Sequence, residues 1–172
     1  MIINKHIQRK VNLDFIFLHG KVDINCKSLI SKIKKGFKAD GNLNYKTNVK
    51  DKMTSFDYLI NDKEFLNILK PMIQYVDRHT SFTKYTLSDA WGFQSSKGAE
   101  TVRHDHRGNE WSGVIYLNNH EQTLDFDEID ISVKPEPGSF ALFSSFLSHG
   151  AKQHSFSNTK FGISFNFRAL PF

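Results

Sequence analysis

The chain has 172 residues, of which 39% are hydrophobic and 13% aromatic, and a formal net charge of +5. This length suits a single domain with a substantial buried core, so residues 1–172 are predicted to form one domain. No apolar run approaches the roughly 20 residues that span a bilayer, which argues against a membrane protein. The lysine excess before residue 53 is most simply a solvated surface, and no basic motif interleaved with aromatic residues indicates nucleic-acid binding.

The compartment is predicted from cysteine use and from the first residues. Cys26 is the single cysteine, so an internal disulfide is excluded and nothing favours secretion. The segment that begins at Met1 lacks the apolar stretch and the cleavage site of a secretory signal. The expected location is cytoplasmic.

Helices are predicted in the N-terminal half. Asp23 or Asn25 could cap a first helix, and Gly36 is predicted to end it. Asp62 could cap a second helix, whose apolar residues recur at helical spacing. Pro71 lies inside this second pattern, so a kink or a break is expected there.

The pattern changes at residue 85 to short strand-like runs separated by turn signals. The predicted strands are 85–94, 99–103, 112–118, 124–126, 129–133, 139–143 and 161–168. Many short strands after a helical start predict a mainly β fold with N-terminal helices, built on a double-stranded β-helix of jelly-roll or cupin type. Residues 85–172 would form this core and carry the site, and residues 1–84 would be a partly helical support.

Three histidines indicate a metal site. His104 and His106 precede one strand-like run, and His149 follows another. Side chains two residues apart on an extended segment point to the same side of it. If strand pairing brought His149 alongside, three imidazoles would surround one cation and leave other coordination positions open, as in non-haem Fe(II) sites. The remaining histidines are interpreted as surface or hydrogen-bonded residues, and His154 is the nearest rival of His149.

Several sequence blocks occur in an order that is known from one family. The blocks are Trp91, Lys97-Gly98, His104-Asp105-His106, Trp111–Leu117, Pro137–His149 and Lys160–Asn166. Together they span roughly residues 53–167 and resemble the 2-oxoglutarate/Fe(II)-dependent oxygenase family. The resemblance implies a double-stranded β-helix core, Fe(II) as cofactor, and 2-oxoglutarate and O2 as co-substrates. It also implies succinate and CO2 as co-products.

The metal ligands depart from the family's pattern at one position. The second residue of the ligand pair is usually Asp or Glu in this superfamily, and here it is His106. His104, His106 and His149 are therefore the expected ligands. Asp105 should point to the other side of an extended strand, and it is the reserve carboxylate because a local bulge could turn it inward. Three neutral imidazoles would leave the charge of the iron uncompensated and would favour anionic ligands.

The second departure concerns the residue that holds 2-oxoglutarate. Lys160 stands where related strands more often carry Arg, and the resemblance implies that it pairs with the distal carboxylate of the oxo-acid. Arg168 is the competing anchor. Asn166 and Tyr116 are expected to hydrogen-bond the oxo-acid from neighbouring strands.

Three functions fit the sequence. The first is an oxygenase that couples decarboxylation of 2-oxoglutarate to hydroxylation of a substrate. The second is a cupin-like dioxygenase with a three-histidine site that does not use 2-oxoglutarate. The third is a non-catalytic jelly-roll binding protein. Lys160 separates the first two, because only the first needs a basic anchor that faces the iron. No segment resembles a recognition module for a primary substrate, which stays open.

Overall fold

The computed structural model describes residues 14–39, 48, 50–79 and 84–170. Ten strands and two α-helices occur in these ranges. The strands are β1 (Phe17–Lys21), β2 (Lys52–Met53), β3 (Tyr85–Ser95), β4 (Thr101–His104), β5 (Trp111–Tyr116), β6 (Leu124–Phe126), β7 (Ile131–Val133), β8 (Ser139–Ser144), β9 (His149–Ala151) and β10 (Lys160–Ala169); the helices are α1 (Cys26–Ala39) and α2 (Lys63–His79).

The strands form two antiparallel sheets. The larger sheet has the order β1-β8-β5-β10-β3-β2, and the smaller has the order β4-β9-β6-β7. The strand order and the two facing sheets are those of a double-stranded β-helix. The prediction of a mainly β fold with N-terminal helices is therefore confirmed.

Strand alternation separates two cores. On β10, Phe161, Ile163 and Phe165 belong to a hydrophobic cluster that includes the buried faces of both helices. Lys160 and Ser164, at alternate positions of the same strand, line a cavity between the two sheets. The same strand therefore anchors the helices with one face and presents polar groups to the interior with the other.

The first helix begins where the sequence indicates and ends later. The backbone N–H of Ser28 donates to Asn25 Oδ1 at 3.0 Å, which is an N-terminal cap. The helix continues past Gly36 to Ala39, so the predicted end at Gly36 is wrong. A Cβ on Gly36 would lie 2.6 Å from Thr54 Cγ2. Glycine is needed here for close packing and does not terminate the helix.

The second helix is capped as predicted, because the backbone N–H of Phe65 donates to Asp62 Oδ1 at 3.0 Å. It is unbroken through Pro71. No described helix combines the length and the apolar character that a membrane span requires.

Three strands lie where none was predicted: β1, β2 and β9. The first two extend the large sheet at its two edges, so the segment before residue 84 contributes strands as well as helices.

We expect Gly113→Ala to lower the free energy of unfolding by about 1–3 kcal/mol, because overpacking in a filled core costs this much. A Cβ on Gly113 would lie 2.3 Å from Cζ of the Phe165 ring on the adjacent strand. Urea denaturation measures the change. In a Phe165→Leu background the ring atoms are gone and the alanine should cost much less, so an equal cost in both backgrounds would contradict this explanation.

Candidate metal centre

The histidine cluster is assembled by strand pairing and by one loop. Antiparallel pairing of β4 with β9 places His104 directly opposite His149. His106 lies two residues beyond the end of β4. Its backbone N–H donates to Ser145 O at 2.8 Å, and its carbonyl oxygen accepts from the N–H of Asn109 at 3.1 Å. These two hydrogen bonds hold the loop residue beside the strand pair.

The three rings are close enough to share one ion. Their centroids lie 4.8 Å apart for His104 and His106, 4.6 Å for His104 and His149, and 5.1 Å for His106 and His149. One ring nitrogen from each lies within 4.8 Å of the other two. The sequence-predicted histidines are thus brought together.

Two hydrogen bonds orient the rings. His104 Nδ1 lies 2.7 Å from Val102 O, and His149 Nδ1 lies 2.9 Å from Leu147 O. A carbonyl oxygen only accepts, so in the neutral ring Nδ1 carries the proton and donates it. The Nε2 lone pair is then available to a metal, as in metal sites whose outer hydrogen bonds fix the tautomer.

Burial keeps the rings neutral. It lowers the pKa of His149 to about 3, with smaller contributions from the charges of His104 and His106. Burial, followed by the charge of His104, lowers the pKa of His106 to about 4. The pKa of His104 is also lowered by burial. Neutral imidazole is the form that binds metals, so the cluster is in its ligating state at neutral pH.

Asp105 is directed away from the cluster. Its carboxylate forms an ion pair with Arg107 at 3.0 Å and accepts the backbone N–H of the same residue at 3.2 Å. The carboxylate that could have replaced a histidine is therefore occupied elsewhere. Its placement agrees with the alternation expected for an extended segment.

The histidines open into the cavity between the sheets, which also contains Lys160, Tyr116 and Asn166. Lys160 is 3% exposed, and among the described residues no carboxylate lies within 4 Å of its ammonium group. Its Nζ lies 5.8 Å from the centre of the Tyr116 ring. Burial lowers the pKa of Lys160 to about 8, although the charge of Asp125 opposes the shift. Burial raises the pKa of the Tyr116 hydroxyl, which stays protonated.

Two other sequence candidates lie outside this cavity. Arg168 is exposed, and its Nε donates to Asn109 Oδ1 at 3.2 Å. His154, the rival of His149, packs against the ring of His120 with centroids 4.7 Å apart. Neither side chain is among those that line the cavity.

The fold has clear relatives among solved structures. No protein-family model matches the sequence, and a comparison with curated proteins found no match. A viral collagen prolyl hydroxylase from Paramecium bursaria Chlorella virus-1, in its 2-oxoglutarate complex, superposes with a TM-score of 0.67 at 17% identity over 88% of this chain and 96% of its own. A prolyl-4-hydroxylase from Pseudomonas putida gives a TM-score of 0.66 at 16% identity, over 90% and 93% of the two chains. HygX from Streptomyces hygroscopicus, with nickel and 2-oxoglutarate bound, gives 0.64 at 11% identity, over 92% and 83%.

The chain has the fold of the 2-oxoglutarate/Fe(II) oxygenases. The donor set fits the metal of such an oxygenase, because imidazole nitrogens are good ligands for Fe(II). The buried ammonium of Lys160 fits a dicarboxylate, because a buried cation without a partner is costly and an incoming anion would relieve the cost.

The sequence analysis missed Ser112 and Asp89, the two hydrogen-bond partners of Asn166. The Ser112 hydroxyl donates to Asn166 Oδ1 at 2.7 Å, and Asn166 Nδ2 donates to Asp89 Oδ2 at 3.3 Å. Both polar ends of Asn166, which was predicted to bind the oxo-acid, are thus used within the protein. Strand alternation could have indicated the position of Asp89. Asp89 lies two residues before Trp91, whose side chain lines the cavity, so both residues lie on the same face of β3.

Proposed function

We propose that this protein is a 2-oxoglutarate- and Fe(II)-dependent oxygenase that hydroxylates a substrate still to be identified. The observation that carries the proposal is the combination, in one cavity, of three neutral imidazoles with a buried lysine whose ammonium has no carboxylate of the described residues within 4 Å. The fold, shared with oxygenases solved with 2-oxoglutarate, supports it. Fe(II) and 2-oxoglutarate would supply the oxidation, in which O2 gives one oxygen atom to the substrate and one to the succinate that forms as CO2 leaves.

The histidines would hold the metal. His104 and His149 each have Nδ1 tied to a backbone carbonyl, so they need no reorganisation to offer Nε2. His106 would complete a set that occupies one side of the ion. Three protein ligands leave the remaining positions for the oxo-acid and O2, which is the requirement of this chemistry.

Lys160 would bind the distal carboxylate of the oxo-acid. Its ammonium donates charge-assisted hydrogen bonds, which are about twice as strong as neutral ones. The protonated hydroxyl of Tyr116 is a further donor in the same cavity. The apolar side chains that line the cavity, Phe93 and Val114 among them, would exclude water around this ion pair.

A three-histidine dioxygenase without an oxo-acid is the second candidate. His106 favours it, because the oxygenase superfamily usually has a carboxylate at that position. That reaction gives no role to Lys160, however, and a buried cation with no function and no partner would only destabilise the fold. The lysine therefore supports the first candidate.

An anaerobic titration tests the proposal. Metal-free protein receives Fe(II) and then 2-oxoglutarate, and the visible metal-to-ligand charge-transfer band of a chelated oxo-acid is recorded. The band is the expected result. Iron binding without the band would favour the oxo-acid-independent enzyme, and no iron binding would leave a non-catalytic jelly-roll protein.

We expect the affinity for 2-oxoglutarate to fall as the pH rises above about 8, the pKa of Lys160. The anion needs the protonated ammonium, so affinity should be constant below this pKa and decline by up to about tenfold per pH unit above it. Isothermal titration calorimetry between pH 7 and 9.5 measures the decline. Lys160→Arg keeps its charge throughout this range and should remove the decline; a decline that persists in this variant would have another cause.

The same shift has a consequence for stability. Because the folded pKa of Lys160 lies below the usual value of 10.5, the unfolded chain binds the proton more tightly. The contribution of Lys160 to stability should therefore increase with pH between about 8 and 10.5. Urea denaturation of ligand-free protein measures it, and Lys160→Met should lack it.

A further inference from the structure

A row of polar side chains crosses the interior face of the large sheet. Strand register places Asp89 opposite Asn166, and Asn166 opposite Ser112. Hydrogen bonds of 2.7 Å and 3.3 Å link the three side chains in that order, from Ser112 to Asn166 to Asp89. Ser112 and Asn166 line the cavity that contains the histidines. The row therefore ends in the carboxylate of Asp89, on the interior face of the sheet that also lines the cavity of the metal centre.

A β-bulge ties this carboxylate to the loop that carries His106. The register between β3 and β10 shifts beside Asn166, and Ser88 has no opposite residue. The Ser88 hydroxyl lies 3.0 Å from both Asp89 Oδ2 and Asn109 Oδ1 and 3.1 Å from Asn166 O, and its one proton serves one of these acceptors at a time. Asn109 in turn donates its backbone N–H to the carbonyl oxygen of His106. Bulges often adjust side-chain direction next to active sites, and this one places Asp89 beside the loop that carries a proposed ligand.

Two carboxylates lie close to His106 in the structure, and only one of them has no cationic partner. Asp105 directly precedes His106 in the chain, and Asp89 lies beside its loop through the contacts of Ser88 and Asn109. Asp105 is neutralised by its ion pair with Arg107. Asp89 is half-buried, and no cationic side chain of the described residues lies within 4 Å of it. The unbalanced negative charge near the cluster is therefore that of Asp89.

We propose that Asp89 is a positioning residue that supplies, from outside the ligand set, the negative charge that His104, His106 and His149 do not bring to Fe(II). The inference rests on the proposed function. Three neutral imidazoles would not compensate any of the double positive charge of Fe(II). A nearby carboxylate that is not itself a ligand can stabilise this charge through space. In this arrangement Asp89 on β3 supplies the negative charge that an aspartate at the position of His106 would otherwise bring.

Asp89→Asn tests the charge with little change of shape, because Asn retains an oxygen that can accept from Asn166 and Ser88. Anaerobic calorimetry should show Fe(II) affinity reduced by about 10- to 100-fold, the usual cost of losing an outer partner. The affinity of nickel-saturated protein for 2-oxoglutarate should be unchanged or higher, since the lost negative charge no longer repels the dianion. A merely structural role predicts that both affinities fall, and that result would overturn the inference.

The double variant Asp105→Asn/Arg107→Gln is the matched control. It removes the carboxylate that directly precedes His106 together with its cation, so the net charge near the cluster is unchanged. Its Fe(II) affinity should equal that of the wild-type protein. A loss equal to that of Asp89→Asn would overturn the specific role of Asp89. Unchanged Fe(II) affinity in Asp89→Asn would overturn the inference and leave the proposed function intact, whereas a wild-type protein that binds no Fe(II) would overturn both.

Discussion

Replacing His149 by Ala is expected to reduce Fe(II) affinity by more than about 100-fold, because even the loss of an outer hydrogen-bond partner costs about 10- to 100-fold. His149 is the most buried of the three rings, and its Nδ1 is held by Leu147 O at 2.9 Å. Its removal would leave only two of the three imidazoles that would hold the metal. Anaerobic calorimetry with Fe(II) gives the affinity.

His154→Ala is the control for this experiment. His154 lies five positions later, is equally well buried, and packs against His120 outside the cavity. We expect both variants to lose stability in urea denaturation, because both rings are buried. His154→Ala should keep the wild-type Fe(II) affinity, and His149→Ala should lose it. Retained Fe(II) affinity in His149→Ala would show that the ligand set is wrong.

A comparison of Asp105→Ala with His106→Ala then tests which of these two residues is the remaining metal ligand. Asp105 is held outward by Arg107, and His106 has its ring in the cluster. Loss of iron in His106→Ala and its retention in Asp105→Ala is the expected result. The opposite result would indicate two histidines and a carboxylate.

The sequence contained enough to predict which histidines meet. Alternation places His104 and His106 on one side of an extended segment, and the order of the sequence blocks, which resembles one family, adds His149. The sequence could not predict how His106 is held. This residue lies beyond the strand, and its backbone depends on Ser145 and Asn109, whose approach is set by two separate loops. The strand that carries His149 was missed for a related reason: β9 has three residues, and no alternation can be recognised in three positions.

The choice between Lys160 and Arg168 also lay beyond the sequence. The two residues lie an even number of positions apart on β10, so alternation places their side chains on the same face of the strand. Their positions along the strand differ. Lys160 begins β10 and is 3% exposed in the cavity, whereas Arg168 lies near the other end, exposed and hydrogen-bonded to Asn109. Burial therefore distinguishes the two side chains, and it depends on the pairing of β10 with β3 and β5.

Replacing Lys160 by Met is expected to weaken 2-oxoglutarate binding by about 10- to 100-fold, the equivalent of a charge-assisted hydrogen bond. Met has a similar length and no charge, so the cavity stays filled. Calorimetry with nickel-saturated protein measures binding of the oxo-acid without turnover. Metal affinity should not decrease, because Lys160 contacts none of the proposed ligands and a cation has been removed from the cavity.

Arg168→Gln is the comparison that separates the two candidate anchors. It removes a cation of the same strand that is exposed and outside the cavity, so 2-oxoglutarate affinity should match that of the wild-type protein. Loss of affinity in Arg168→Gln with retention in Lys160→Met would reverse the assignment.

Stability provides the sharper discrimination between an anchor and a structural lysine. Lys160 is buried, and among the described residues no carboxylate lies within 4 Å of its ammonium group, so the ligand-free protein bears the cost of an unpaired charge. Lys160→Met removes that cost, and ligand-free protein should become more resistant to urea at pH 7. A fixed concentration of 2-oxoglutarate should stabilise the wild-type protein more than the variant, because binding to the folded state alone raises stability with the logarithm of the ratio of ligand concentration to Kd. A lysine that served the fold would give a destabilised variant instead. Higher ligand-free stability together with lost oxo-acid affinity is therefore the signature of a residue retained for its ligand.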